Sequence, residues 1–125
     1  MRPVHFEIHA ASPDRAITFY RGVFGWEFTR WEGAFPYWLI RTGPGDVPGI
    51  DGGLVERLGP PPADGQPVNA WVNTIEVDDL DAALGRVQQH GGSLAVGKQQ
   101  VPGVGFLAYV KDSEGNILGL LQPEM

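Results

Sequence analysis

The sequence predicts an α+β protein in which one βαβββ module occurs twice. Three observations carry this. Two helical segments share a plan at an offset of 66 residues, Ala16 matching Ala82 and Gly25 matching Gly91. Each helix is preceded by one strand-like segment and followed by three. A proline-rich stretch, Leu58 to Pro67, "LGPPPADGQP", suits neither helix nor sheet and separates the two sets.

The elements follow in order. "VHFEIHA", Val4 to Ala10, reads as a strand. Alternation puts His5, Glu7 and His9 on one face and Phe6 and Ile8 on the other. Ser12 is a helix cap, and Pro13 suits the first helical position. Ala16, Ile17, Tyr20, Val23 and Phe24 then recur at helical spacing, and Gly25 is the stop. Trp26–Trp31, Pro36–Thr42 and Ile50–Glu56 are strand candidates separated by glycine-rich turns. After the linker, Ala70–Val77 is a strand. Asp78 or Asp79 caps a second helix carrying Leu80, Ala83, Leu84 and Val87 on one face, ended by Gly91-Gly92. Ser93–Lys98, Gly105–Lys111 and Asn116–Gln122 complete the set. The expected organisation is a single domain over residues 1–125: a first module over about 1–57, a linker at 58–68 and a second module over about 69–125. Paired, such modules would form a curved, cup-like mixed sheet with helices outside and a small molecule on the concave face.

Composition narrows the function. The 125 residues suffice for one core. With no cysteine, disulfides, thiol nucleophiles and zinc–thiolate sites are excluded. A net charge of −6 repels phosphate backbones and argues against nucleic acid. No apolar run has the length of a membrane span and no signal segment stands at the start, so no membrane association and a cytoplasmic location are expected. Four Trp, six Phe and three Tyr are hard to bury in a chain of this size, which points to a homodimer.

The segments "VHFEIHAASPDRAITFYRGVFGWEF", "GGL" at Gly52–Leu54, "IEVDDLDAALGRVQQHGGSL" and "VPGVGFLAYVKDSEGNILGLLQ" together resemble the vicinal oxygen chelate superfamily, which includes glyoxalase I, bleomycin-resistance proteins and extradiol dioxygenases. The nearest resemblance is to a branch related to lactoylglutathione lyase. Metal-dependent members place one ligand on the first and one on the last strand of each half. On this chain the resemblance puts the first position at His5, the second on Ile50–Glu56 (Gly52, Gly53 or Glu56, by register), the third at Val72 and the fourth at Gly119. Val72 and Gly119 have no coordinating side chain, so no metal cofactor is expected. The alternative is a rebuilt site of His5, Glu7 and Glu56 holding Zn, Ni, Fe or Mn.

The expected ligand pocket comprises His5, Glu7, His9, Trp38, Val72, Thr74, Phe106 and Gly119, with Trp38 and Phe106 as an aromatic wall. Glu7 is the candidate general base; a mutual His–Glu bond ordering the strand is the plainer reading. Three functions remain open: a metal-free small-molecule binder, a metal-dependent lyase, isomerase or dioxygenase, and a sequestering protein for a cationic drug.

Overall fold

A computed structural model of the chain describes residues 1–67 and 71–124. Val68, Asn69 and Ala70, the end of the expected linker and the start of the expected fifth strand, lie outside the described residues, as does Met125. The elements are β1 (Pro3–Ala10), α1 (Pro13–Phe24), β2 (Glu27–Arg30), β3 (Tyr37–Arg41), β4 (Asp51–Glu56), β5 (Val72–Glu76), α2 (Leu80–Gln89), β6 (Ser93–Val101), β7 (Gly105–Lys111) and β8 (Ile117–Pro123). The α+β, twice-repeated βαβββ order expected from the sequence is present.

The chain divides into two units. The first is His5–Trp71; the second joins Met1–Val4 to Val72–Met125. The leading residues pair within the second unit, where the Glu76 amide donates to the Arg2 carbonyl at 3.4 Å.

In the first unit the strands run β2-β3-β4-β1, with β4 antiparallel to β3 and parallel to β1. The helix starts where Ser12 Oγ accepts from the Arg15 amide at 3.4 Å, with Pro13 just inside. It ends at Gly25, whose left-handed φ of 72° is open to glycine at little cost. One helix face, led by Ile17, packs on Phe6, Ile8 and Ala10 of β1, Ile40 of β3 and Leu54 of β4. These side chains are the first core.

The second unit repeats the plan as β5-β8-β7-β6, with β8 parallel to β5 and antiparallel to β7. Asp79, rather than Asp78, caps α2 by accepting from the Ala82 amide at 3.1 Å. Leu80 and Ala83 seal a core with Val77, Ala108, Val110 and Leu120. Strand β6 runs to Val101, past the expected end at Lys98, and its pairing slips between Leu94 and Val96 and again between Val96 and Gln99. It is an edge strand almost wholly exposed, and such irregular edges resist pairing with other chains. Residues 58–67 hold neither helix nor strand.

Candidate functional site

Strand parity decides what each sheet shows on the face away from its helix. On β1, Phe6, Ile8 and Ala10 enter the core, so His5, Glu7 and His9 share the open face, as the sequence predicts. On β3, Trp38 and Ile40 take the core side, so Tyr37 and Leu39 belong to the open face. This corrects the expectation for Trp38. Its ring packs beside the first core, and the Arg30 guanidinium covers it at 4.8 Å. Phe106 is corrected for the same reason. It shares parity with Ala108 and Val110, packs on the second core and lies under Lys98 Nζ at 4.7 Å. Lys98 also meets Asp81 at 3.2 Å.

The open face of the first unit is organised by a glycine. Strand β4 lies between β3 and β1, and Gly53 is paired with Glu7 on one side and Leu39 on the other. A Cβ on Gly53 would coincide with the Tyr37 hydroxyl. The Tyr37 phenol therefore crosses β4 through the space a side chain would fill. It reaches His5, whose Nε2 shares a 2.8 Å hydrogen bond with the hydroxyl. Further along β1, His9 Nε2 meets Glu7 Oε1 at 2.9 Å. Glu7 is thus tied to His9 by a His–Glu bond along the strand, and its charge also acts on His5. Arg57 Nη2 donates to the His9 carbonyl at 2.8 Å.

Burial governs the charge state of the linked pair. Desolvation lowers the His5 pKa below the ordinary histidine value, and the opposing pull of the Glu7 and Asp51 carboxylates does not cancel it. Desolvation first, then the Glu7 charge, raises the Tyr37 phenol well above the ordinary tyrosine range. At neutral pH both groups are uncharged. In one imidazole tautomer Nε2 accepts from the phenol; in the other it donates and leaves the O–H for a ligand. Asp51 is itself held in place, accepting from the Thr42 amide at 2.8 Å.

Aromatic side chains stand beside this pair. The Trp31 amide donates to the Tyr37 carbonyl at 2.8 Å, closing the β2–β3 loop. The loop then brings Trp31 and Phe35 against each other at 5.1 Å and each within 6.0 Å of the Tyr37 ring. The sequence reading missed Tyr37. In "YWLIR" the Trp38–Ile40 and Tyr37–Leu39 pairs are both large and apolar, so composition carries no signal for which of them enters the core.

The second unit repeats the motif with different chemistry. Thr74 is buried and pairs with Gly119, and Tyr109 of β7 pairs with Gly119 from the other side. A Cβ on Gly119 would stand 3.1 Å from Thr74 Oγ1 and 3.4 Å from the Tyr109 ring. Val72 is buried and shares the parity of Thr74, opposite to Ile75, which packs on the core. A depression of about 310 Å³ lies elsewhere, lined by Gly25, Glu27, Arg41, Thr42, Gly43 and Pro44, and holds none of the expected pocket residues.

The sequence matches the model of the Glyoxalase/Bleomycin resistance protein/Dioxygenase superfamily over residues 2–120. The chain belongs to this superfamily. Among curated relatives of this superfamily member, "Putative glyoxylase CFP32" of Mycobacterium bovis and its Mycobacterium tuberculosis counterpart are each 32% identical over 119 residues. That alignment spans 94% of this chain but 42% of each relative, so the chain covers less than half their length. Among solved structures, methylmalonyl-CoA epimerase from Mycobacterium tuberculosis superposes with a TM-score of 0.67 at 20% identity, over 98% of this chain and 88% of that one. A hypothetical protein, BH1468, from Bacillus halodurans gives 0.70 at 13% identity, over 99% and 95%. At these identities the likeness is one of fold.

By the resemblance drawn from the sequence, the first metal position of the metal-dependent members falls at His5 and the third at Val72. Gly53, facing Glu7 on β4, corresponds to Gly119, facing Thr74 on β8, so the second position is Gly53. Of the four, His5 alone has a coordinating side chain, and the Tyr37 hydroxyl fills the space at Gly53. The residues do not fit the ion. The rebuilt set of His5, Glu7 and Glu56 is not assembled either. Glu56 pairs with Ala10 while His5 pairs with Asp51, five residues away along β4. Among the described residues no three His, Cys, Asp or Glu side chains form a group able to hold a metal. Among those residues, too, no helix is long and apolar enough to cross a membrane.

Proposed function

We propose that this superfamily member binds a small organic molecule on the open face of its first unit, without the superfamily's metal. One observation carries the reading. The position that would supply the second ligand is a glycine, and a tyrosine bonded to His5 stands in its place. The His5–Tyr37 pair offers an uncharged donor and acceptor to an oxygen or nitrogen of the ligand. Trp31 and Phe35, whose rings are tilted 58° to each other, offer an apolar aromatic corner. The Glu7 and Asp51 carboxylates act on His5 and disfavour an anion there. The same carboxylates and aromatic rings favour a second reading, the sequestration of a cationic aromatic compound.

A catalytic form of the site would use Glu7 as general base, since its charge acts on both His5 and Tyr37. We further place the protein in the cytoplasm as a homodimer. Phe19, Val23 and Phe24 of α1 are each more than half exposed, apolar surface that a partner chain would cover.

A thermal-shift screen of neutral and cationic aromatic compounds tests the reading. A ligand that binds only the folded state raises the melting temperature. The expected hit works equally with and without a chelator and is lost in His5→Ala. A hit that requires added divalent metal would contradict the proposal.

A further inference from the structure

We infer that Tyr37 determines what the first unit can bind. Its phenol fills the side-chain space of position 53, so the site presents a hydroxyl where a metal ligand would stand, and tyrosine at 37 and a ligand at 53 exclude one another. The inference builds on the metal-free reading and adds the residue responsible.

The geometry supports it in three ways. Tyr37 starts on β3 and ends at His5 on β1, so it must pass over β4, and Gly53 is where it passes. Any Cβ at 53 would coincide with the hydroxyl, so no larger side chain fits while the bond to His5 stands. The bond also consumes Nε2, the one imidazole nitrogen shown reaching towards β4, which a metal would otherwise need. The second unit shows the looser version of the motif. Tyr109 approaches Gly119, but a Cβ there would meet its ring at 3.4 Å, an ordinary contact, so glycine is not forced by the tyrosine in that unit. Mutual exclusion is therefore a property of the first unit.

Two measurements test this. The first is zinc affinity, by competition with a chromophoric chelator, for the wild-type chain, Tyr37→Phe and the double variant Tyr37→Ala/Gly53→Glu. The double variant frees His5 and adds a carboxylate at position 53 to the face that carries His5 and Glu7. It should bind zinc on the order of 100-fold more tightly than wild type, as expected for gaining ligands at a prepared position. Tyr37→Phe keeps the ring over position 53 and should gain far less. No gain in a double variant that circular dichroism shows folded would overturn the inference.

The second is a double-mutant cycle of Gly53→Ala and Tyr37→Ala read by thermal melting, which stands even if the glutamate variant fails to fold. Gly53→Ala should lower the melting temperature clearly in wild type and little in the Tyr37→Ala background. Additive shifts would overturn the inference and leave the metal-free reading intact. Tight zinc binding by the wild-type chain, lost in His5→Ala, would overturn both.

Discussion

At His5 two effects oppose each other on one ring, and burial wins. The folded-state pKa is depressed, so between that value and the ordinary histidine value of about 6.5 the unfolded chain binds more protons than the folded one. His5 therefore adds to stability as pH rises through that window, and lowers it as pH falls below the ordinary value. Urea unfolding at a series of pH values should show this slope, and His5→Asn should remove that part of it. Glu7→Gln takes away a charge that raises the His5 pKa, so the His5 midpoint followed by NMR should move further down. An unchanged midpoint would mean that Glu7 does not act on the ring, and an upward shift would contradict the sign of its effect. Tyr37→Phe removes one part-buried hydrogen bond and should cost about 1 kcal/mol in urea unfolding.

Among elements, the two helices were the most legible parts of the sequence. Their signals are short-range: Ser12 and Asp79 bind amides three residues on, and Gly25 supplies the left-handed turn. Ser12→Ala should cost about 1 kcal/mol, and Leu80→Ala, which empties a fully buried site, about 2–5 kcal/mol, both by chemical denaturation. Strand faces were less legible. On β1, polar and apolar residues alternate, so the face of His5, Glu7 and His9 could be read directly. On β3 and β7 both faces carry large apolar residues: Tyr37 and Trp38, Phe106 and Leu107. Composition then gives no parity, and a shift of one residue exchanges the two faces. That is why Trp38 and Phe106 were set in the pocket while Tyr37 was not. The role of Gly53 was hidden for another reason. A glycine in a strand signals a close approach, but what approaches it comes from a strand that is not its neighbour in sequence.

For the whole molecule, the repeat was legible because both units obey the same local rules, while the binding chemistry was not, because it lies in how the units differ. The first unit places His5 and Glu7 where the second has Val72 and Thr74. Assembly can be checked directly. Sedimentation at micromolar concentration should give twice the 13.6 kDa chain mass, and Phe19→Glu with Phe24→Glu tests whether the α1 face contributes to the pairing. A single species at the chain mass would refute the dimer. The metal content of protein purified without chelators bears most directly on the proposal of a site without the metal. Zinc, nickel, iron and manganese are each expected far below one ion per chain, unchanged in His5→Ala. One equivalent of any of them, lost in His5→Ala, would contradict it.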